Sequence, residues 1–273
     1  MNRRMLLLLA TSSLLIVVLF SASIVYYRSR VSPAPRISIL TPGDESRLQT
    51  VDISDSLSAF VGTTGEYELM VMDFSEPMAL DPPPAGWWHR RFLTRAPMAL
   101  SFGRIGGRHA LRLATDNSAS MLFRYVDIDL ARYPLLSWSW LIEEPIETEL
   151  DENSRAGDDH PARLYVRFED ASGLSRSLEI IWGNELTAGD TKFIGGFPHY
   201  VANGGSDDLR RWQEEEVNLS QLYQQFWPEA DPAVRITDIA LFCDSDETGD
   251  DSIAWFGQVS VKQQLSTSIQ DNR

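Results

Sequence analysis

The stretch 244–251 (DSDETGDD) is the densest group of acidic side chains in the chain. Its start, D-x-D-x-T-G, matches the first half of a Ca²⁺-binding loop, in which oxygen ligands alternate along the chain and a glycine permits a sharp turn. The second half departs from that pattern, because the twelfth position is Trp255 and not a bidentate glutamate. A turn rich in Asp and Gly explains the same residues without a metal. The sequence therefore predicts either a Ca²⁺ site, with Asp244 and Asp246 as ligands, or a solvated turn.

A second acidic pair, Asp158 and Asp159, precedes a stretch in which Arg163 and Tyr165 occupy alternate positions. Carboxylates and a guanidinium make directed hydrogen bonds, and flat aromatic rings cover the apolar C–H faces of a sugar. With Trp182 as a second flat ring, these five residues form a predicted glycan-binding patch. An acid pair beside an arginine also makes structural salt bridges that fix the end of a loop. The sequence leaves both interpretations open.

Catalytic signatures are absent from the sequence. Hydrolysis of a glycosidic bond needs two carboxylates that face each other across a cleft. Asp159 with Asp246 or Glu179 makes such a pair, but a chain with 39 acidic residues offers many. No G-x-S-x-G motif surrounds a serine, and the four histidines are scattered, with His160 predicted to lie exposed in a loop. No catalytic residue is assigned, and a binding protein is favoured over an enzyme.

Short alternating or β-branched runs, separated by turn residues, indicate a mainly β fold from residue 67 onward. The predicted strands lie at 67–74, 109–115, 119–126, 135–142, 162–169, 176–182, 236–243 and 253–262. One helix is predicted at 219–227, where apolar residues recur at helical spacing and Pro228 ends the run. Glycine pairs at 195–196 and 204–205 predict a surface loop between them. The pattern favours an antiparallel β-sandwich of jelly-roll type with one short helix.

Within 162–169, a period of two divides the strand into an apolar face and a polar face. The apolar face, predicted to point into the core, consists of Leu164, Val166 and Phe168. The polar face, predicted to point outward, consists of Arg163, Tyr165 and Arg167. This division places the arginine and the tyrosine of the predicted glycan patch side by side.

The charge of the chain excludes one class of partner. Residues 1–36 contain five arginines and no acidic residue, so 37–273 hold 19 basic and 39 acidic residues, a formal charge of −20. Phosphate backbones repel such a domain, and nucleic-acid binding is therefore excluded. Cys243 is the single cysteine, which excludes an intrachain disulfide and a Cys-rich zinc site. Its apolar surroundings predict a buried position.

The N-terminal segment 5–27 has no charged side chain and is dominated by Leu, Ile and Val. As a helix that rises about 1.5 Å per residue, it is long enough for the roughly 30 Å hydrocarbon core of a bilayer. Arg3 and Arg4 keep the preceding end cytoplasmic. A signal peptide cleaved after Ala22 or Ser23 is the alternative, and both interpretations export the rest of the chain. The predicted organisation is an anchor or signal segment at 1–28, a linker at 29–66 that contributes an early strand, a β-sandwich domain at 67–263 and a flexible tail at 264–273.

Five short strings together resemble one family of bacterial envelope proteins, known only as domain of unknown function number three thousand and forty-seven. These strings are 118–120 (SAS), 134–140 (PLLSWSW), the acid pair 158–159 with RLYV at 163–166, 244–248 (DSDET) and 255–257 (WFG). They cover about residues 69–262. Two positions depart from the family pattern: Glu247 stands where the family tends to carry an amide, and Ser139 where it usually has a basic residue. The resemblance implies an exported, mainly β protein and supplies no reaction.

The function predicted from these features is that of an exported β-sandwich module in the bacterial inner membrane. A single N-terminal span anchors it, and the C-terminal domain lies in the periplasm. We expect it to bind a glycan or another envelope component without catalysis. The alternatives are a carboxylate-dependent glycoside hydrolase and a structural partner in an envelope protein complex. The predicted partners are the membrane, through the N-terminal helix, and a glycan or an envelope protein.

Overall fold

The computed structural model describes residues 62–65 and 67–264. Within them the chain forms fourteen β-strands and one α-helix, α1 (Leu219–Phe226), along with a 3-10 turn at Arg155–Gly157. The strands are β1 (Gly62–Gly65), β2 (Glu68–Met72), β3 (Trp87–Arg91), β4 (Ala99–Ile105), β5 (Arg108–Asp116), β6 (Ser120–Asp129), β7 (Leu135–Glu144), β8 (Arg163–Asp170), β9 (Ser175–Gly183), β10 (Thr191–Ile194), β11 (Phe197–Gly204), β12 (Gln213–Asn218), β13 (Val234–Phe242) and β14 (Asp251–Lys262).

All eight strands predicted from the sequence are present, and the predicted helix is α1. The sequence does not predict β3 and β10, which are short, or β12, which is polar. It also does not predict β4 and β11, which are interrupted by Gly103 and by Pro198. The prediction of a surface loop between the two glycine pairs is wrong. Gly195 and Gly196, both at positive φ, instead form the tight turn of a hairpin between β10 and β11.

The strands form two seven-stranded sheets. Sheet 1 has the order β1-β2-β14-β5-β4, with β7 also paired to β14 and β12 paired to β7. Sheet 2 has the order β10-β11-β9-β8-β13-β6-β3. The pairing of β11 with β9 is parallel, because β10 takes the edge and β11 returns between it and β9. The prediction of antiparallel sheets therefore fails at this one pair, and sheet 2 is mixed.

Large aromatic side chains join the two sheets through the core. Trp140 of β7 meets Trp182 of β9 with ring centroids 5.8 Å apart, in an edge-to-face arrangement. Trp138 and Phe256 lie against Trp140 from within sheet 1, at 5.2 and 6.1 Å. All four side chains are buried, as is Cys243, whose predicted burial is confirmed. Burial of such rings supplies much of the apolar area that holds a sandwich together.

The protein is thus a mainly β sandwich with one α-helix in its described residues. The jelly-roll order of connections stays a prediction. The predicted anchor at 5–27 lies outside the described residues. Among residues 62–65 and 67–264, no helix is both long and apolar enough to cross a bilayer.

A close approach between β7 and β14 generates the first prediction. Gly257 lies at an irregularity of β14, and a Cβ added there would lie 2.2 Å from Ser139 Oγ but 3.5 Å from Ser139 Cβ. We expect Gly257→Ala to lower the free energy of unfolding by about 1–3 kcal/mol, because overpacking displaces neighbouring atoms. Adding Ser139→Ala removes the hydroxyl and should restore most of that stability. Urea denaturation of both single variants and the double variant measures this coupling, and strict additivity would contradict it.

Candidate functional site

One row of side chains crosses all seven strands of sheet 2, on the face that points away from the core. The register of each strand pair places these residues directly opposite one another. In strand order from β3 to β10, the row consists of Trp88, Phe123, Ala240, Tyr165, Glu179, His199 and Lys192. The row has an aromatic end and a charged end, and the two ends offer different chemistry.

The aromatic end forms a continuous apolar surface, which we call the aromatic platform and define as Trp88, Phe123, Tyr125 and Tyr165. The ring of Phe123 lies 5.7 Å from that of Trp88 and 5.6 Å from that of Tyr165, measured between centroids. The rings of Trp88 and Tyr125 are nearly parallel, 10° apart with centroids at 6.4 Å. Trp88 is 39% exposed, whereas Phe123 is buried. Trp88 and parts of Tyr125 and Tyr165 therefore face solvent above the buried Phe123.

Polar groups border the aromatic platform along β8, β9 and β13, and we call Arg167, Ser177 and Asp238 the polar edge. Arg167 Nε donates a hydrogen bond of 3.3 Å to Tyr165 Oη and lies 3.4 Å from Asp238 Oδ2. Tyr165 Oη and Ser177 Oγ are 2.6 Å apart. Burial raises the pKa of Asp238, although the charge of Arg167 opposes that rise. The edge thus holds a guanidinium, a hydroxyl and a buried carboxyl group beside flat rings.

At the charged end, Arg163 is the centre of an ionic network. Its Nε donates to Asp244 Oδ1 at 2.8 Å, its Nη1 donates to Glu179 Oε2 at 2.8 Å, and its Nη2 donates to the carbonyl oxygen of Asp158. Only 3% of the side chain is exposed. The guanidinium also lies 5.3 Å from the ring of Phe242. Such burial is tolerated because acceptors from three separate segments bond to the guanidinium.

Lys192 extends the ionic network to the edge strand β10. Its Nζ lies 2.7 Å from the carbonyl oxygen of Glu152, 2.7 Å from Asp158 Oδ1 and 2.9 Å from His160 Nε2. Three acceptors match the three protons of an ammonium group. The lysine is buried, and it connects the segment before β8 to the far edge of sheet 2.

His160 is fully buried, so the prediction of an exposed loop histidine is wrong. Its Nδ1 lies 2.9 Å from the carbonyl oxygen of Trp182, and only a protonated Nδ1 can donate there. Its Nε2 is then the acceptor for Lys192. Burial, reinforced by the charge of Arg163, lowers the pKa of His160 to about 3. The imidazole is therefore neutral and positions Lys192.

A group of four acids, which we call the carboxylate cluster, lies next to the ionic network. One oxygen each from Asp159, Asp244, Asp246 and Glu247 lies within 4.8 Å of the others. Asp159 is buried, and its Oδ2 accepts from the Thr248 amide at 2.6 Å, the Thr248 hydroxyl at 2.7 Å and the Glu247 amide at 3.0 Å. Its Oδ1 has no hydrogen-bond partner among the described residues.

Crowding of negative charge perturbs two members of the carboxylate cluster. Burial raises the pKa of Asp244 to about 8, since the opposing charge of Arg163 does not offset burial and the nearby Asp159. Burial, reinforced by the neighbouring carboxyl groups of Asp159 and Asp246, also raises the pKa of Glu247 to about 8. Both groups therefore resist ionisation in the folded protein.

The structure brings the predicted metal ligands and most of the predicted glycan ligands to one end of sheet 2. Asp244 and Asp246 are both in the carboxylate cluster, as is Asp159. Asp158 Oδ1 lies 3.8 Å from Arg163 Nη1, the acid–arginine pairing that the sequence leaves open. A partner that the sequence does not predict, Lys192, lies closer, at 2.7 Å. Tyr165 belongs to the aromatic platform and is half-buried.

Two predicted orientations need correction. Leu164, Val166 and Phe168 are buried as predicted, and Arg163 does lie on the opposite face. However, carboxylates from before β8 and after β13 enclose Arg163, so it is not exposed. Trp182 is 1% exposed and faces the core, so it offers no flat ring to a ligand.

The sequence does not predict several residues of these sites. Trp88 lies in a strand that carries only five residues, WWHRR, and no recognisable apolar period. Tyr125 is signalled, because period two places it with Phe123 on one face of the predicted strand 119–126. Lys192 and His199 have no local signal, since their partners are distant in sequence.

The fold and the site define a β-sandwich protein with an ionic network buried at one end of its mixed sheet and a partly exposed aromatic platform at the other. The chain belongs to the family DUF3047, described as proteins of unknown function, whose model matches residues 85–260. The resemblance found in the sequence is confirmed. No match exists among curated proteins.

Several solved structures are distantly similar. The family 30 carbohydrate-binding module of a cellulosomal cellulase of Clostridium thermocellum has 12% identity and a TM-score of 0.39, over 72% of this chain and 98% of that one. An endoglucanase from Rhodothermus marinus has 11% identity and a TM-score of 0.39, over 66% and 93%. The xyloglucanase domain of a type three effector from Sinorhizobium fredii, in complex with cellobiose, has 10% identity and a TM-score of 0.37, over 75% and 98%. Likeness at these scores carries no weight for the ligand of this chain.

The ionic network generates a prediction for acid pH. Burial alone would raise the pKa of Glu179, but the charge of Arg163 outweighs it and lowers the pKa from 4.5 to about 2. The resulting stabilisation is fully present above pH 4.5 and is lost as the pH falls toward 2. Glu179→Gln should cost about 3 kcal/mol at pH 7, because it leaves Arg163 under-compensated, and should lose less stability on acidification than the wild type.

Urea denaturation at pH 7, 5 and 3 measures this difference. Glu229→Gln is the matched control, because Glu229 is exposed and outside the network. We expect that control to follow the wild type at each pH. Parallel pH profiles for Glu179→Gln and the wild type would contradict the role of Glu179.

Proposed function

We propose that this protein is a non-catalytic binding module that holds a glycan of the cell envelope on the aromatic platform. The observation that carries the proposal is the pair of nearly parallel rings, Trp88 and Tyr125, at the surface of a sheet beside a polar edge. The apolar C–H faces of a pyranose ring pack on such rings, while its hydroxyls need donors and acceptors at the side. Arg167 and Ser177, which are half-buried, supply those groups, and the buried Asp238 orients Arg167.

Preorganisation supports the same function. Trp88 packs against Phe123, which is buried, and Tyr165 is held by hydrogen bonds to Arg167 and Ser177. Rings that are already fixed lose little conformational entropy on binding, so more of the contact energy contributes to affinity. The glycan-binding interpretation of the sequence therefore keeps Tyr165, and Trp88 and Tyr125 take the place of Trp182.

A glycoside hydrolase is the second candidate, and one observation favours it. Glu179 and Asp244 are both bonded to Arg163, yet the pKa of Glu179 is lowered to about 2 and that of Asp244 is raised to about 8. A base and an acid with separated pKa values are what glycosidic cleavage uses. Against this candidate, both side chains are nearly buried and bonded to Arg163. Release of reducing ends from an oligosaccharide, abolished by Glu179→Gln, would favour hydrolysis over binding alone.

We also propose export, with segment 5–27 as a permanent inner-membrane anchor and the sandwich in the periplasm. The apolar length of the segment and the two arginines before it support this arrangement. A charge of −20 beyond residue 36 would keep the domain off anionic headgroups.

Glycan binding is tested by truncating one ring. We expect Trp88→Ala to weaken binding about tenfold, since loss of a central aromatic contact typically costs over 1 kcal/mol. Tyr67→Ala is the control, because Tyr67 is 46% exposed and outside sheet 2. A glycan array of β-glucans, α-glucans and N-acetylglucosamine oligomers, followed by calorimetry on the strongest binder, gives the affinities. Equal loss in both variants, or no glycan binding by the wild type, would contradict the platform.

Anchoring is tested by fractionation and mass. We expect the full-length protein to stay with membranes through an alkaline carbonate wash and to be degraded by protease in spheroplasts but not in intact cells. An intact mass that includes residues 1–23 would support the anchor. A soluble periplasmic protein that begins after Ala22 or Ser23 would instead establish cleavage of a signal peptide.

A further inference from the structure

The carboxylate cluster joins two segments that are distant in sequence but meet where two strands of sheet 2 end. Asp159 lies shortly before β8, and Asp244 follows β13. The first residue of β8, Arg163, pairs with the last residue of β13, Phe242. We propose that the cluster is a binding site for one divalent cation, Ca²⁺, which ties these two segments together.

The unpaired oxygen of Asp159 is the observation that separates this cluster from an ordinary acidic surface. The side chain is fully buried, and Oδ2 already accepts three hydrogen bonds from residues 247 and 248. Oδ1 is left without a partner among the described residues. A buried carboxylate oxygen without a donor is costly, and the nearest groups of the cluster are themselves carboxylates, which only accept when ionised. A cation resolves that deficit.

Local charge favours the same conclusion. Four carboxyl groups converge, whereas the arginines bonded to them are Arg163, whose Nε lies 2.8 Å from Asp244 Oδ1, and Arg95, whose Nε lies 2.5 Å from Asp246 Oδ2. Arg163 also serves Glu179, so its charge is shared. With all four groups ionised, the cluster therefore carries more negative charge than these two arginines offset, and a divalent ion matches that excess.

The ligand chemistry selects the class of metal. All four side chains offer hard carboxylate oxygens, and the cluster contains no histidine or cysteine, the ligands that Zn²⁺ and Cu²⁺ prefer. Oxygens bound to one Ca²⁺ lie up to about 5 Å apart, since each metal–oxygen bond is about 2.3–2.6 Å. The separations of up to 4.8 Å in the cluster are compatible with that range. Ca²⁺ accepts irregular coordination with added water, whereas Mg²⁺ requires a regular octahedron at shorter distances.

Titration of the chelator-treated, full-length protein in mild detergent with CaCl₂ alone tests the proposal. We expect one Ca²⁺ per chain by calorimetry, binding tighter than Mg²⁺. We also expect the melting temperature to rise by about 5 to 10 °C when free Ca²⁺ exceeds its Kd a hundredfold. Wild-type protein that shows neither heat of binding nor a thermal shift up to 10 mM, taken as roughly ten times the weakest Kd of extracellular Ca²⁺ modules, would overturn the proposal.

Two variants locate the site within the cluster. Asp159→Asn keeps one oxygen, which can accept the three hydrogen bonds made to Oδ2. It replaces the unpaired oxygen, Oδ1, by an NH₂ group, which cannot bind a cation. Glu247→Gln changes an exposed side chain and should leave folding intact. We expect each variant to weaken Ca²⁺ binding at least about tenfold and to shrink the thermal shift in proportion.

Asp251→Asn is the matched control, since Asp251 is exposed in the same acidic stretch but outside the cluster. It should bind Ca²⁺ like the wild type. Equal weakening in the control would assign the effect to general charge screening and overturn the site. The site would also be overturned if Glu247→Gln and Asp159→Asn both bound Ca²⁺ as tightly as the wild type.

Discussion

Burial of the Arg163 guanidinium is the interaction on which the charged end of sheet 2 depends. A guanidinium removed from water costs several kcal/mol unless acceptors surround it, and here they come from the residues before β8, from β9 and from the loop after β13. None of these segments alone can satisfy it. The network therefore favours the one register in which all three arrive together, and mispaired strands would leave its charges buried and unpaired.

The ionic network divides the cross-strand row into two parts, which differ in how accessible their side chains are to a ligand. From Glu179 to Lys192 the polar groups bond largely to one another, and they are buried or nearly so. In the part from Trp88 to Tyr165, the rings of Trp88 and Tyr165 meet solvent in part over a buried Phe123. Beside them Arg167 and Ser177 are half-buried. A ligand gains little from buried groups that are bonded to each other, because it must break those bonds before it can reach the groups. We therefore place ligand binding at the aromatic end, because the polar groups of the charged end are already bonded to one another and buried.

Local periodicity predicts which side chains share a face but not what covers that face. Arg163 and Tyr165 are two residues apart on one face of β8, as the sequence predicts, yet Arg163 is enclosed and Tyr165 is not. The difference arises because Asp244, which encloses Arg163, is 81 positions away in the chain. The burial of Trp182 is signalled locally, since period two groups it with Leu178 and Ile180. The aromatic ring of Trp182 is typical of a binding surface, but the strand face that it shares with Leu178 and Ile180 predicts its burial correctly.

In the acidic stretch 244–251 as well, local spacing predicts part of the site, and contacts with residues distant in sequence complete it. Its D-x-D spacing correctly indicates that Asp244 and Asp246 lie together, while Trp255 at the twelfth position argues against a loop that supplies every ligand itself. The structure supplies the missing carboxylate from Asp159, which sequence spacing cannot reveal. Convergence of like charges costs free energy in the folded state. Either protons or a cation must reduce that cost, and a cation that binds only the assembled cluster also stabilises the assembled sheet.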